Sequence, residues 1–359
     1  MDYCVREFGS EYDWKVNDAF WLPEGVHNTL LDNAQLYRSG RDALKAAARV
    51  CRRTCQRVLL PALCCESMVS PFEMNGISPL FYRLSEEYTA DVADVESKMT
   101  SDTILLYGPY FGISPFDNET LSRLQQKFPG AVFLEDRTHD ILQRRTGGFV
   151  PDLTVASIRK WTAIPDGGLL WSYTISCEPG HRDREFASLR TEAMQQKARY
   201  LASGEAGLKD SFRELLGKAS EILDVSAEPY AMAEASARLL DRLDVESILA
   251  YRHRNADTLL HLLQPAVERG YLRLITPEPG RSTLYFPILV PDQEYFQTEL
   301  ACRGIYCPVI WPIPQGISGI CPVAEYTAAH MLGIPCDHRY TQADMCYIAE
   351  QIVRLCNEQ

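Results

Sequence analysis

The sequence predicts an α/β fold in which a mostly parallel sheet is covered by helices on both faces and is followed by a small α+β domain. Two observations lead to this prediction. Short apolar runs alternate with helical segments over the first half of the chain. These runs are apolar almost throughout, which is typical of strands that are buried on both faces of a parallel sheet.

The alternation continues through five predicted strands. Segments 39–55 and 118–128 have the spacing of apolar residues that indicates helices. The apolar runs predicted as strands are 57–63, 76–84, 102–108, 130–136 and 152–157. Sheets of this kind bind their ligands at the carboxyl ends of the strands, so residues that follow these runs are candidates for a site.

The second half of the chain is richer in helices. The predicted elements there are helices at 182–225, 230–243, 244–263 and 341–355 and strands at 282–290 and 305–313. We therefore expect an N-terminal segment (1–32), a large ligand-binding domain (33–243) and a small C-terminal α+β domain (244–359).

The composition narrows the class of protein. The 359 residues are 46% hydrophobic and carry a formal net charge of -12, which argues against a nucleic-acid or anionic-membrane partner. No apolar run approaches the roughly 18 residues of a membrane helix, and the charged, aromatic first residues do not resemble a secretory signal. Twelve cysteines without paired metal-ligand spacing predict reduced thiols in a cytoplasmic protein and no metal site.

Asp136 and His139 stand at and just after the end of a predicted strand. An acid at such a position is often a helix cap or a surface residue, and a lone histidine is more often structural than functional. The functional interpretation is that the Asp136 carboxylate pairs with a cationic ring nitrogen while His139 lies over the ring. The two residues alone do not decide between these interpretations.

Lys160 follows the next predicted strand. An ordinary lysine is a solvated ammonium with a pKa of about 10.4, but a desolvated lysine can act as a nucleophile and form a Schiff base. Ser157 stands three residues earlier, where its hydroxyl can donate to a phosphate. An isolated lysine beside Arg159 would be interpreted as solvated surface, whereas its place after Asp136 in chain order favours a covalent anchor.

Ser39 and Gly40 open the first predicted helix, and Arg41 follows. A helix N-terminus with a glycine beside it offers backbone N–H groups to a phosphate. Arginine in the first turn opposes the helix dipole, so a bound anion would explain it and solvent exposure is the alternative. We call Ser39, Gly40, Arg41 and Ser157 the phosphate cradle.

A phosphate cradle, an acid for a ring nitrogen and a nucleophilic lysine together match pyridoxal 5'-phosphate (PLP). NAD fits less well because no G-x-G-x-x-G motif follows the first strand, and a P-loop is also absent from the sequence.

The ordered motifs resemble those of the DegT/DnrJ/StrS family, the PLP-dependent sugar aminotransferases of fold type I. The matching segments are SGRDALKAAAR, VLLPALCCESMVSPFEMNGISPLFYRL, ILLYGPYFG, FLEDRTHDI, SIRKWTAIPDGGLLW and MLGIPCDHRYTQADMCYIAEQI. The resemblance implies a seven-stranded type of sheet in the large domain. It also implies that Lys160 is the catalytic residue, and that the residues binding the cofactor are Ser39, Gly40, Arg41, Asp136, His139, Ser157 and Lys160.

The resemblance implies a function as well. An amino group would pass from a small-molecule donor, glutamate in the first instance, to a keto acceptor such as a nucleotide-linked keto sugar. Fold type I sites are built at a dimer interface, so a homodimer with shared active sites is expected.

The sequence departs from the family in four places. Ser157 is closer to Lys160 than is usual, Pro165 replaces a glycine, and Trp311 stands where a basic residue or histidine is usual. The usual Asn-Tyr-Arg stretch reads EPYAMAEAS at 228–236. These departures leave two alternatives open: a PLP-dependent dehydration or elimination, and a binding or regulatory protein without turnover.

Six further residues are weaker candidates. Arg339 could bind a carboxylate, Cys64 and Cys65 fall near the predicted cofactor loop, and three aromatic residues could line a pocket: Tyr107, Trp161 and Trp311. For each of them a structural role is at least as well supported by the pattern.

Overall fold

The computed structural model describes residues 5–14, 20–143, 147–172, 179–314 and 316–358. The strands are β1 Phe8–Gly9, β2 Gln35–Tyr37, β3 Arg57–Pro61, β4 Ser78–Tyr82, β5 Thr103–Tyr107, β6 Val132–Asp136, β7 Leu153–Ser157, β8 Gly168–Ser172, β9 Arg273–Leu274, β10 Phe286–Leu289, β11 Ile305–Tyr306 and β12 Met331–Ile334. The helices are α1 Gly40–Cys51, α2 Glu66–Glu73, α3 Val92–Lys98, α4 Asn118–Lys127, α5 Arg184–Ser203, α6 Ala206–Asp224, α7 Glu234–Asp241, α8 Val245–Glu268, α9 Gln293–Cys302, α10 Pro322–His330 and α11 Gln342–Glu358. Strands and helices alternate up to α4, and helices dominate from α5 onwards.

Seven of these strands form one sheet, in the order β2-β8-β7-β6-β5-β3-β4. Strands β4, β3, β5, β6 and β7 are parallel to their neighbours, whereas β8 runs antiparallel to both β7 and β2. Every residue of β5 and β7 is buried, as expected for strands covered on both faces. The predicted mostly parallel, seven-stranded sheet is confirmed.

The carboxyl ends of the central strands lie at one edge of this sheet because the strands are parallel. Strand β5 ends at Tyr107, β6 at Asp136 and β7 at Ser157. Helix α1 begins at Gly40 and packs against β7 and β8. The start of α1 and three strand ends therefore meet at the same edge.

The sequence predicts strands at 57–63 and 76–84 and no helix between them, and the structure differs there. Helix α2 lies between β3 and β4. Met68, Val69 and Phe72 are buried on one face of α2 at helical spacing. Pro71 inside this short helix conceals the helical pattern in the sequence, because proline usually ends a helix.

The C-terminal part of the chain has its own sheet. Strands β12, β10 and β9 are antiparallel neighbours, and α8 and α11 pack against one another beside them. Their apolar side chains form a separate core that includes Phe286, Ile288, Leu332, Ile348 and Ile352. This region is α+β, as expected, whereas the domain limits themselves remain a prediction.

The predicted strand 305–313 is much shorter than expected. Strand β11 ends at Tyr306 and pairs in parallel with β1, which joins the described N-terminal residues to this region. Pro308 and Pro312 follow, and proline lacks the N–H group that a strand needs to donate to its neighbour.

Segment 182–225 folds into two helices. Gly204, with φ 74°, ends α5 in the left-handed conformation, and α6 packs back along α5. The last turn of α6 reaches α1, where Lys45 Nζ donates to the Leu223 carbonyl oxygen at 2.8 Å. None of the described helices combines the length and the apolar character needed to cross a lipid bilayer.

Candidate active site

A cleft opens at the carboxyl edge of the main sheet. The structure brings all of the predicted cofactor-binding residues to its wall: Ser39, Gly40, Arg41, Asp136, His139, Ser157 and Lys160. Side chains that the sequence analysis did not assign to the site also line it, among them Thr138, Arg159 and Leu223. The cleft therefore collects residues from α1, three strand ends and the end of α6.

The first turn of α1 forms one end of the cleft. Ser39 caps the helix, since its hydroxyl accepts a hydrogen bond from the Asp42 N–H (3.1 Å) and donates to the Asp42 carboxylate (2.6 Å). A Cβ on Gly40 would lie only 2.9 Å from the Ser157 Cβ, so glycine lets α1 approach β7 closely. The N–H groups of this turn are placed beside Ser157, where they can bind an anion.

Ser157 is buried at the end of β7. Its N–H donates to Thr138 Oγ1 at 3.1 Å. Its hydroxyl forms no hydrogen bond with any residue in the described part of the chain. The hydroxyl can therefore donate to a ligand in the cleft.

Two arginines border the same end of the cleft. Arg41 pairs with Asp224, the last residue of α6, which accounts for an arginine in the first turn of α1 without a bound anion. Arg159 also lines the cleft, and its Nε is buried without a hydrogen-bond partner. The sequence pattern gave no signal for Arg159 beyond its place next to Lys160.

Asp136, the last residue of β6, lines the cleft and lies beside Gly108, which follows β5. A Cβ at position 108 would lie 2.0 Å from the Asp136 carbonyl oxygen, so this close approach requires glycine. The Asp136 carboxylate accepts a hydrogen bond from the Thr138 N–H at 2.8 Å. Burial raises the pKa of Asp136, while the Thr138 hydrogen bonds and the Lys160 charge oppose the rise. A cationic ring nitrogen in the cleft would also favour the charged carboxylate.

His139 packs among aromatic rings. Its ring centroid lies 5.1 Å from that of Trp311 and 6.0 Å from that of Phe111. Burial and then the Lys160 charge lower the pKa of His139 to about 3, so its imidazole is neutral near neutral pH. Trp311 lines the cleft as well. This wall is flat and uncharged, which suits an aromatic ligand.

Lys160 ends a one-turn 3-10 helix, Ile158–Lys160, that directly follows β7. The next residue, Trp161, is fully buried and its Nε1–H donates to the Thr138 carbonyl oxygen at 2.6 Å. This contact fixes the backbone beside Lys160 and makes Trp161 a core residue rather than a substrate wall. The Lys160 amine makes no ion pair with the described residues, and its charge acts on both Asp136 and His139.

The turn after Lys160 shapes the cleft without lining it. The buried Asp166 carboxylate accepts a hydrogen bond from the Ala233 N–H at 2.8 Å, which ties this turn to the segment after Pro229. A Cβ on Gly168 would lie 1.9 Å from the Ser39 carbonyl oxygen. Glycine at the start of β8 therefore allows α1 to reach the edge of the sheet.

The remaining candidates have structural surroundings. Cys64 is buried, and burial raises the pKa of its thiol, which makes it unreactive. Cys65 lines the cleft with its sulfur 2.9 Å from the Ser67 hydroxyl. Tyr107 belongs to the core, and Arg339 pairs with Asp337. Among the described residues no cluster of three or more His, Cys, Asp or Glu side chains could hold a metal ion.

No protein-family model matches the sequence, and no curated protein matches it either. Solved structures match the fold over most of the chain. Spr1654 from Streptococcus pneumoniae, in its PLP form, is 15% identical with a TM-score of 0.67, over 98% of this chain and 99% of that chain. Helicobacter pylori PseC, an aminotransferase involved in the biosynthesis of pseudoaminic acid, is 15% identical with a TM-score of 0.64, over 99% and 100% of the two chains.

A DegT DnrJ EryC1 StrS aminotransferase from Brucella abortus is 14% identical with a TM-score of 0.59, over 90% of this chain and 85% of that chain. At these identities the similarity concerns the fold. The fold expected from the sequence motifs, that of the PLP-dependent aminotransferases of fold type I, is confirmed.

Proposed function

We propose that this chain is a PLP-dependent aminotransferase with Lys160 as the covalent anchor of the cofactor. The observation that carries the proposal is the meeting of Lys160, Asp136 and the phosphate cradle in one cleft at the carboxyl edge of the sheet. The likeness in fold to solved aminotransferases supports it independently.

The residues of the cleft fit PLP at both ends. At the cradle end, the Ser157 hydroxyl and the buried Arg159 Nε lack partners among the described residues, as expected for donors that await a phosphate. At the other end, the desolvated Asp136 carboxylate matches a cationic ring nitrogen. Lys160 lines the same cleft as Asp136 and His139, and its charge affects the pKa of both.

Each of these residues would have a distinct task. PLP supplies an electron sink that stabilises negative charge beside the reacting carbon. Lys160 Nζ would hold the cofactor covalently and, when free, would take up and return a proton. The Asp136 carboxylate would keep the ring nitrogen protonated. His139, being neutral, would pack against a flat ring without adding charge.

We further propose a keto sugar as the amino acceptor and glutamate as the amino donor. Support for the acceptor comes from the similarity in fold to PseC, which takes part in pseudoaminic acid biosynthesis. We also propose a homodimer with shared active sites. Sedimentation of the PLP-loaded protein tests the dimer, and a monomer at micromolar concentration would contradict it.

The first experiment compares wild type with Lys160→Ala and with Lys127→Ala, a control lysine on α4 outside the cleft lining. Each protein is mixed with PLP, reduced with borohydride and digested with a protease. The mass of the peptide that contains residue 160 is then measured by mass spectrometry. We expect PLP on Lys160 in wild type and in the control, and none at position 160 in Lys160→Ala. Turnover with L-glutamate should fall by at least about 1,000-fold in Lys160→Ala.

Two results would contradict the proposed function. If wild type binds no PLP, the cofactor assignment is wrong and a binding or regulatory role becomes the better interpretation. If wild type carries PLP on Lys160 but L-glutamate and other amino acids leave its absorption spectrum unchanged, the anchor is right and transamination is wrong. An elimination or dehydration would then be the reaction to test.

A further inference from the structure

Arg159 differs from Arg38, Arg41 and Arg190 in making no ion pair with a described carboxylate. It lines the cleft, and its Nε is buried without a hydrogen-bond acceptor. Glu11 acts on Arg159 electrostatically, but its carboxylate is hydrogen-bonded to Arg190. Arg159 is partly buried, and a desolvated guanidinium group without an acceptor is costly. Because this side chain lines the cleft, a ligand bound there could supply the acceptor.

The other arginines around the start of α1 are each paired. The pairs are Arg38 with Asp42, Arg190 with Glu11 and Arg41 with Asp224. Arg190 also donates from Nε to the Pro165 carbonyl oxygen at 2.7 Å. The carboxylates near Arg159 are therefore already engaged by other guanidinium groups.

The concentration of positive charge strengthens this point. Burial, together with the neighbouring charge of Arg190 and Arg41, lowers the pKa of Arg159 to about 10 despite the opposing charge of Glu11. An anion bound between Arg159 and the start of α1 would relieve this repulsion. A phosphate monoester suits the site best, since it offers several oxygens to a planar guanidinium group.

The position of Arg159 in the chain is consistent with such a contact. Arg159 and Lys160 are consecutive residues of one 3-10 turn, and both line the cleft. Successive residues of a 3-10 helix point about 120° apart, because three residues complete a turn. One short turn can therefore present the lysine to the reactive end of a ligand and the arginine to another part of it.

We propose that Arg159 is the counterion of the cofactor phosphate, supplied by the same chain and the same turn as the covalent anchor. The proposal rests on the proposed function, and it adds a fifth residue to the phosphate cradle. Its end of the cleft already contains the unpartnered Ser157 hydroxyl and the N-terminus of α1. The carboxylate of an amino donor is the other anion that Arg159 could bind, and the experiment separates the two.

The experiment measures the affinity of the protein for PLP and for pyridoxal, which lacks the phosphate, by isothermal titration calorimetry. Wild type is compared with Arg159→Gln, with Arg159→Lys, which keeps the charge, and with Arg53→Gln, an exposed arginine outside the cleft lining. Arg159→Gln should weaken PLP binding by about 10- to 100-fold, the usual worth of a charge-assisted hydrogen bond, and should leave pyridoxal binding nearly unchanged. Arg159→Lys should lie between wild type and Arg159→Gln, and Arg53→Gln should match wild type.

The outcomes are distinguishable. If Arg159→Gln weakens PLP and pyridoxal equally, or neither, Arg159 does not bind the phosphate and the inference is wrong. If Arg159→Gln leaves the PLP affinity intact but raises the KM for glutamate, Arg159 binds the donor carboxylate instead. A wild-type protein that binds neither PLP nor pyridoxal would overturn the proposed function, and this inference with it.

Discussion

Arg159 and Arg339 are both partly buried, but their guanidinium groups have opposite surroundings. Arg339 donates to both carboxylate oxygens of Asp337 at 2.8 Å, and its Nη1 donates to the Glu11 carbonyl oxygen at 3.2 Å. It also lies over the Tyr12 ring, 4.1 Å from the centroid. Arg159 has no such partner among the described residues, and it faces a cleft.

The difference separates a structural arginine from a ligand-binding one. A guanidinium group that is fully paired within the fold contributes to rigidity and has little left to offer a ligand. The sequence makes Arg339 a candidate carboxylate binder. The carboxylate that it binds is that of Asp337, two residues earlier in the same chain. Whether an arginine has a carboxylate partner within the fold therefore indicates its role better than the residue type does.

The largest effect should come from breaking the Arg339 pair. Asp337→Asn leaves the partly buried guanidinium group of Arg339 without its counterion, and we expect a loss of about 3 kcal/mol in the free energy of unfolding. Urea denaturation of the cofactor-free protein measures it. The matched change is Arg159→Gln, which breaks no pair and removes an unpartnered guanidinium group, so it should not lower the free energy of unfolding of the cofactor-free protein. Equal losses in the two variants would remove the distinction between the two arginines.

The second prediction uses one histidine from each region, His139 beside the cleft and His338 beside Arg339. Burial lowers the pKa of each to about 3. Between about pH 5 and 6 the unfolded chain therefore binds protons that the folded protein does not, so stability falls as the pH falls. Each histidine should contribute a slope of about 1 kcal/mol per pH unit in this range.

Urea denaturation of wild type, His139→Gln and His338→Gln at pH 5, 6, 7.5 and 8.5 tests this prediction. Each variant should lose less stability than wild type between pH 6 and pH 5, and above about pH 7 the slopes of all three proteins should agree. Glu11, whose pKa the Arg190 pair lowers to about 2 against the effect of burial, also begins to cost stability below about pH 5.5, but it does so equally in all three proteins. Identical slopes in all three proteins at pH 5–6 would show that neither imidazole is buried in its neutral form.

The smallest effect concerns the second arginine of the cleft. Asp224 pairs with Arg41 from an exposed position at the end of α6, and exposed pairs are worth at most about 1 kcal/mol. Asp224→Asn should therefore free Arg41 and tighten PLP binding by up to about fivefold. Asp210→Asn, which removes an exposed carboxylate elsewhere on α6, is the control and should not change the affinity. Weaker PLP binding in Asp224→Asn would mean that Asp224 holds Arg41 in place for the phosphate.

Much of the fold and of the site could be predicted because it depends on local patterns. Near-continuous apolar runs such as 102–108 and 130–136 predict buried parallel strands, and parallel strands bring their carboxyl ends to one edge. That geometry places Asp136 and Ser157, the last residues of two of these strands, at the edge where a ligand would bind. The two wrong predictions of secondary structure, between 63 and 76 and at 305–313, have local causes as well. Proline inside α2 concealed a helix, and prolines after Tyr306 ended a strand that the apolar run alone would extend.

Other parts of the site depend on contacts between residues that are far apart in the chain. Leu223 and Asp224 reach the start of α1 across more than 170 residues, through the Lys45 and Arg41 contacts. Periodicity reports which face of a helix is apolar, but it does not report where the end of that helix comes to rest. The sequence therefore contains no sign that α6 closes one side of the cleft.

The sequence by itself determined the order of strands and helices and the chain order of Ser39, Asp136 and Lys160, because these depend on the spacing of residues along the backbone. The tertiary structure decided which charged side chains have a partner of opposite charge within the fold. Arg159 and Arg339 are the same residue type in unremarkable sequence contexts, and only the packing of distant elements gives one a carboxylate and leaves the other facing a cleft. The physical reason is that burial and hydrogen-bond partnership belong to the assembled surroundings of a side chain.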